Sequence, residues 1–415
     1  MNLRVLLVSS KYPPEYAGSA LRAHRTYLRL HQKFGLEFEV LCSSVEENTN
    51  CVYEHEGIKV TRLARKWMPV VSRQTWDQNS LKNKLSLRVN YFSEAFPTFD
   101  FLKKNLARFD LVHVFGNSAV TSAVISFCNR ICKPLIVEIT YDSRPQPYKP
   151  LFMKFFDRDP SGFHSQTQII CISPKLEAGC RAFGIYQNIY TRPNPIDTGV
   201  FHVDRPKKWE YRVKHSEFSK SDVVLVNVSK FMPLKNQVFL LEVLKLLPEK
   251  YKLFLAGPVV KEGPNAKRDA EYLLLIKNKI AEYKLQTRVQ YQEGFVAHTH
   301  ELIKMSDMYV FPSKVEGLGT PMIESICCGV PVVAHRLPGV TDAWIKEGEN
   351  GYTCALNAAE FARKIQQAAV LSQEKLDTAA MVLQNIAGEE RIDEEYFRLI
   401  QSLTQKKMNQ YQKIA

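Results

Sequence analysis

Two glutamates eight residues apart, Glu316 and Glu324, are the side chains whose type and spacing most directly bear on chemistry, and they enclose Gly317, Gly319 and Pro321. Two glycines and a proline do not share the interior of one stable helix, so the spacing is not that of a helical face. Upstream, Met308-Tyr-Val-Phe311 reads as a short apolar strand. A loop follows, and then a helix with Thr320 as N-cap and Pro321 at its first position. Glu316 then projects from the loop, and Glu324 stands one turn into the helix. The backbone amides of Gly319 to Met322 point out of the helix start, where an anion is favoured. Carboxylates beside an anion site suit a ligand with both hydroxyls and phosphate, such as a nucleotide sugar.

The run Glu316-Gly-Leu-Gly-Thr-Pro-Met-Ile-Glu324 is followed by Gly329-Val-Pro331-Val-Val-Ala334 and later by Glu349-Asn-Gly351-Tyr. Together these resemble the E-x7-E motif of retaining glycosyltransferases of family 4. The resemblance is close over residues 222–354 and looser before them. It implies an α/β protein of the GT-B fold, two Rossmann-like domains with a cleft between them, followed by a C-terminal helical segment.

Further roles follow from the resemblance alone. Lys230 and Lys235, in Val228-Ser-Lys-Phe-Met-Pro-Leu-Lys-Asn236, stand where the family places an Arg and a Lys that clamp the donor diphosphate. Lys230 replaces the Arg, giving a point charge for a two-pronged contact, and Asn236 replaces a Gly. Glu324 corresponds to the residue that accepts hydrogen bonds from the nucleotide ribose, and Glu316 to the one near the sugar hydroxyls. Gly317, Leu318, Gly319 and Thr320 would offer backbone amides to phosphate and sugar. Gly294-Phe295-Val296 matches the segment that cradles the base, and Gly257 a glycine turn beneath the nucleotide. The family's loop after the first strand usually has two adjacent glycines whose amides approach the donor phosphate and sugar; here it has Ala17-Gly18, leaving Gly18 for donor binding, with Tyr12 on the acceptor side. Cations and helix amides would hold the leaving phosphate, so no metal or other cofactor is expected. Asp157-Arg-Asp159 has the spacing of a metal site in a different transferase fold, but it lies outside any matching strand and reads as a surface turn.

On the acceptor side, Asp110-Leu-Val-His113 resembles a family segment, with Phe115 where a second His is usual. His113 is open to two readings, an active-site role or a core histidine. Tyr141-Asp142 takes the place of a His-Asp pair.

These residues need a scaffold, and strand-like and helix-like segments alternate from end to end as in parallel α/β sheets. The 415 residues fit two domains. We place them at 1–194 (acceptor side) and 222–385 (nucleotide sugar), with a linker at 195–221. The resemblance to GT-B proteins implies that a terminal helix at 386–415 crosses back to the first domain. The loop Ser9–Ser19 follows a strand but lacks Gly-x-Gly-x-x-Gly, which disfavours a dinucleotide enzyme. No apolar run spans a bilayer and the short apolar start lacks a cleavage site, so a cytoplasmic protein is expected, peripheral on the membrane at most. Nine scattered cysteines without metal spacing read as free thiols.

The net charge is +13. Residues 59–108 hold 11 basic against 3 acidic residues, interleaved with Trp67, Met68, Trp76, Tyr91 and Phe92. That mixture suits an anionic membrane surface. No recognition motif for nucleic acid accompanies it. The overall expectation is a retaining transferase moving sugar from a nucleotide-diphosphate donor to a glycan or lipid-linked acceptor in cell-surface polysaccharide or glycolipid synthesis. Two other classes stay open: another GT-B enzyme such as a sugar-nucleotide epimerase, and a non-catalytic nucleotide-binding or membrane-adaptor protein.

Overall fold

The computed structural model describes residues 3–14, 18–44, 49–64, 81–116, 118–140, 163–260 and 266–412, with side chains omitted at 44, 81–91 and 406–412. The chain divides into two compact units, Met1–Arg192 with Glu390–Ala415, and Pro193–Glu389.

The first unit holds β1 (Arg4–Ser9), α1 (Gly18–Phe34), β2 (Glu37–Ser44), β3 (Cys51–His55), β4 (Ile58–Ala64), α2 (Leu81–Asn105), β5 (Leu111–Phe115), α3 (Ala119–Ile131), β6 (Leu135–Ile139), β7 (Thr167–Cys171), α4 (Pro174–Ala182) and β8 (Ile189–Thr191). Among the described residues the strands form one sheet in the order β3-β4-β2-β1-β5-β6-β7-β8, parallel except for β3. β1 and β5 are buried almost throughout, as parallel strands covered on both faces must be. Helix α4 starts with Ser173 Oγ accepting from the Leu176 amide and Pro174 in the first turn.

The second unit contains α5 (Lys208–His215), β9 (Val223–Val228), α6 (Gln237–Lys245), β10 (Tyr251–Gly257), α7 (Ala266–Glu282), β11 (Val289–Glu293), α8 (Thr299–Met305), β12 (Met308–Phe311), α9 (Thr320–Cys327), β13 (Val332–His335), β14 (Gly351–Cys354), α10 (Ala358–Ala368) and α11 (Gln373–Ala387). Its sheet is wholly parallel, in the order β11-β10-β9-β12-β13-β14. The order reverses between β9 and β12, and the carboxyl ends of the strands flanking such a switch are where open α/β sheets bind ligands.

The last helix, α12 (Glu389–Gln412), follows the second unit in sequence but belongs to the first. Ile392, Tyr396, Ile400 and Leu403 are buried in the core that also contains Val5, Tyr27 and Leu111.

Residues 195–221 are not a free linker. They belong to the second unit, where Arg212 of α5 is buried and donates to the carbonyls of Met305, Ser219 and Asp222 and to Asp307. Its unit also extends past 385, to Glu389. The strands β3 and β14 carry no apolar run that marks them in the sequence. None of the nine cysteines forms a disulfide; Cys128 is buried on α3, and just past the helix comes Cys132. It is the exposed left-handed C-cap of α3.

Candidate active site

The second unit's switch point assembles the candidate site from the loops after β9 and β12. Lys235 ends a single 3-10 turn, Pro233–Lys235, and Asn236 follows with φ 57° and ψ 34°. This left-handed conformation is the one glycine serves, and asparagine is among the few other residues that adopt it readily. The Asn236 departure from the family pattern therefore keeps the backbone path. The Lys314 amide donates to the Leu234 carbonyl at 2.9 Å, tying the two loops together. Across that tie, Lys235 Nζ pairs with Glu316 Oε1, with both side chains mostly shielded.

Helix α9 starts one residue earlier than expected. Its N-cap is Gly319, with φ 77° and no side-chain cap, because the left-handed turn itself redirects the chain. Thr320 is not the cap; its Oγ1 accepts from Asn194 Nδ2 at 3.0 Å. A Cβ on Gly319 would sit 2.9 Å from the Phe311 ring, so glycine is required by space as well as by φ. The Met322 amide is taken by the Gly319 carbonyl (2.9 Å) and Pro321 has none, so the anion-facing amides narrow to Gly317–Thr320. The Leu318 side chain is buried, leaving that residue only its backbone to offer a ligand.

Glu324 lies half-buried on this helix, and its carboxylate has no hydrogen-bond partner among the described residues. Burial pushes its carboxyl up to about 7. An incompletely solvated carboxylate of this kind is a strong acceptor for hydroxyls brought by a ligand.

Lys230 is positioned from below. Gln237, fully buried, donates to the Lys230 carbonyl (2.8 Å) and to Ser229 Oγ (2.9 Å), while Ser229 Oγ donates to Asn227 Oδ1 (2.7 Å). Asn227 in turn donates to the Val310 carbonyl at 2.8 Å, linking β9 to β12. Burial, and then Lys235, lower the Lys230 ammonium from its ordinary value, with Asp269 opposing. Gly257 closes on the same loop: its φ is 151°, and a Cβ there would meet the Ser229 carbonyl oxygen at 2.0 Å. The Gly294 amide donates to the Gly257 carbonyl at 3.0 Å, bringing in the segment of Phe295 and Val296, with Phe295 well exposed. The second unit thus brings together Lys230, Lys235, Gly257, Phe295, Val296, Glu316, Gly317, Leu318, Gly319, Thr320 and Glu324 on one sheet edge. Sequence reasoning missed Asn194, Asn227, Ser229 and Gln237. Only Asn227 left a signal, a polar residue inside the apolar run Val223–Val228.

The first unit corrects two assignments. His113 is fully buried in mid-strand: Nδ1 bonds the Tyr27 hydroxyl at 2.7 Å and Nε2 lies 3.9 Å from Glu138. Burial pushes its imidazole down to about 3, so it stays neutral and inside. The core reading of His113 holds, and the catalytic one falls. Tyr12, expected on the acceptor side, is also fully buried, its ring in the core and its hydroxyl bonded to His24. Gly18 is exposed at the start of α1, and a Cβ there would touch nothing within 4 Å. Ala17, Tyr141, Asp142, Asp157 and Asp159 lie outside the described residues.

Of the basic segment at 59–108, Arg62 is buried, donating to the Tyr12 carbonyl and the Tyr53 hydroxyl, and so is not a membrane contact. Phe92 is partly buried and packs near Ala95 and Ala123. Arg65, Lys66, Trp67, Met68, Arg73 and Trp76, with the side chains of Lys82, Lys84, Arg88 and Tyr91, lie outside the described residues. Among the described residues no helix is long and apolar enough to cross a membrane.

Comparison with known proteins agrees with this geometry. Residues 207–380 match the family model described as Glycosyl transferases group 1. The match takes in the switch-point loops and both glutamates. N-acetyl-alpha-D-glucosaminyl L-malate synthase of Bacillus anthracis is 29% identical over 172 residues, 40% of each chain. The chain therefore spans about two fifths of that curated relative. Among solved structures, Anabaena HepE in complex with UDP and glucose is similar at TM-score 0.68 and 15% identity, covering 97% of this chain and 100% of that one. The sucrose-phosphate synthase of Thermosynechococcus elongatus is similar at TM-score 0.72 and 16% identity, over 97% and 99% of the two chains. The fold is that of the GT-B glycosyltransferases.

Proposed function

We propose that this protein is a retaining glycosyltransferase that moves a sugar from a nucleotide-diphosphate sugar to a hydroxyl of a glycan or lipid-linked acceptor. The observation that carries the reading is the pairing of Lys235 with Glu316 beside the Gly319 helix start, at the switch point of a parallel sheet. When the donor binds, its diphosphate takes Lys235 from Glu316, and the released carboxylate turns to the sugar hydroxyls. Lys230 and the Gly317–Thr320 amides complete the phosphate cradle, stabilising the charge that develops on the leaving group. Glu324 accepts from the ribose hydroxyls. The acceptor's proton passes to the departing phosphate oxygen as the new glycosidic bond forms on the same face, so these residues do not need a metal ion to carry the charge. The complexes of HepE with UDP-glucose support a uridine nucleotide as the first donor to try. A role at the membrane in surface-glycan synthesis, through residues 59–108, belongs to the same proposal.

The test is transfer from isotopically labelled UDP-sugars, with and without EDTA, with product anomeric configuration read by NMR. Retained configuration, insensitivity to EDTA and a loss of roughly 100-fold in turnover for Lys235→Ala are expected. Wild-type turnover in that variant would remove the site assignment, and an inverted product would remove the retaining mechanism.

A further inference from the structure

In the first unit, three ligand-type side chains converge from two elements. His24 comes from α1, and His55 and Glu56 from the end of β3 and the tight turn before β4. Their ligand atoms all lie within 4.8 Å of one another. Glu56 Oε2 is 3.2 Å from His24 Nε2, and Glu56 Oε1 is 3.9 Å from His55 Nε2. The two imidazole rings tilt together with centroids 4.8 Å apart. Ligands at 2.0–2.1 Å around a tetrahedral ion stand roughly 3.3 Å from each other, so small side-chain adjustments would seat one.

The surroundings favour a metal over a plain hydrogen bond. His24 is only 1% exposed, and its other ring nitrogen, Nδ1, is bonded to the buried Tyr12 hydroxyl. A ring nitrogen held in this way fixes the orientation of the opposite nitrogen, as partners of metal-bound histidines do. Glu56 sits at φ 50°, a conformation uncommon for glutamate, and its two carboxylate oxygens each approach one ring, Oε2 that of His24 and Oε1 that of His55. The comparable group His298, His300 and Glu301 lacks this arrangement, because Glu301 already pairs with Lys214 at 2.7 Å and with His215.

We propose that His24, His55 and Glu56 bind a divalent transition-metal ion, zinc in the first instance, that clasps the β3–β4 turn to α1. Two imidazoles and one carboxylate form a borderline N/O donor set with a fourth position open to water. The clasp bears on the loop after β1 through contacts already present. The Tyr53 hydroxyl donates to the Pro13 carbonyl, and Arg62 donates to the Tyr12 carbonyl at 3.2 Å. This ion is structural, and Lys230, Lys235, Glu316 and Glu324 belong to the second unit.

The experiment uses the purified full chain, stripped by chelator and reloaded with zinc alone. Competition against a chromogenic zinc indicator gives stoichiometry and affinity, and cobalt(II) substitution gives the visible spectrum of a low-symmetry nitrogen–oxygen site. One equivalent bound and a zinc-dependent rise in Tm are expected in the wild type and in His298→Ala. Both should be lost in His55→Ala and Glu56→Gln, whose side chains are partly or largely exposed and whose removal leaves the fold intact by circular dichroism. Should His55→Ala fail to fold, Glu56→Gln alone decides. Zinc binding equal to wild type in Glu56→Gln, loss in His298→Ala, or no zinc retained by the wild type would each overturn the site.

Discussion

At the scale of single residues, the Lys235–Glu316 pair makes a prediction that a simple binding residue would not. If Glu316 competes with the donor for Lys235 before turning to the sugar, removing its charge separates nucleotide binding from transfer. Glu316→Gln should bind UDP as tightly as wild type or more tightly by calorimetry, while transfer falls roughly 100-fold. Weaker UDP binding in that variant would mean that Glu316 supports the diphosphate rather than competing for Lys235. The motif from Glu316 to Glu324 was legible because glycine, proline and carboxylates leave unmistakable signals. The Asn236 replacement was legible as a departure, though not as a harmless one, since its left-handed φ is invisible in the sequence. Tyr12 and His113 were misplaced for a related reason. Residue type and motif position say nothing about burial, and both side chains face into the first unit's core rather than out of the strand ends.

At the scale of elements, the donor residues depend on three strand ends held together by close backbone approach and by the side chains of Asn227 and Gln237. Gly257 is the point of closest approach, with no room for a Cβ between β10 and the Ser229 carbonyl. Gly257→Ala should therefore push β10 away from the Lys230 loop, costing on the order of 2 kcal/mol or more. Urea unfolding measures the loss, and weakened nucleotide binding should accompany it. Stability within a few tenths of wild type would show that the strand ends can part without strain. Most strands were legible as apolar runs, and Met308–Phe311 falls where the sequence predicts it. β3 and β14 were not, because Cys51–His55 is an edge strand with alternating polar residues and Gly351–Cys354 is four residues without an apolar run. The 208–215 helix was hidden by its polar composition, and only the buried contacts of Arg212 reveal why it folds against α8 and β9.

At the scale of the whole molecule, the two units carry buried ionisable groups whose pH responses have opposite signs. In the first, Glu138 lies among Arg22, Arg192 and the Tyr396 hydroxyl of α12, with His113 above it. Burial opposes its ionisation, but Arg22 and then Arg192 outweigh that and hold the carboxyl down to about 2. His113 is held down to about 3, chiefly by burial. A depressed folded-state pKa gives stability that is present above the unfolded value and lost as pH falls. For His113 the loss starts near pH 6.5 and amounts to about 2 kcal/mol by pH 5. Glu138 adds its own loss only below about pH 4.5. Glu324 in the second unit behaves oppositely, because its raised carboxyl makes ionisation unfavourable in the folded state. Stability from Glu324 is greatest below about pH 4.5 and falls away as pH rises toward 7, so acidifying from 7 to 5 returns up to about 2 kcal/mol. His300, lowered mainly by burial, offsets part of that gain. Scanning calorimetry between pH 7 and pH 5 should therefore show the transition of the first unit moving down while that of the second holds or moves up. In Glu324→Gln the second unit should lose its upward component. Two transitions that fall together in the wild type would mean that Glu324 is ionised and solvated at pH 5, and would remove the reason to assign it a ligand's hydroxyls.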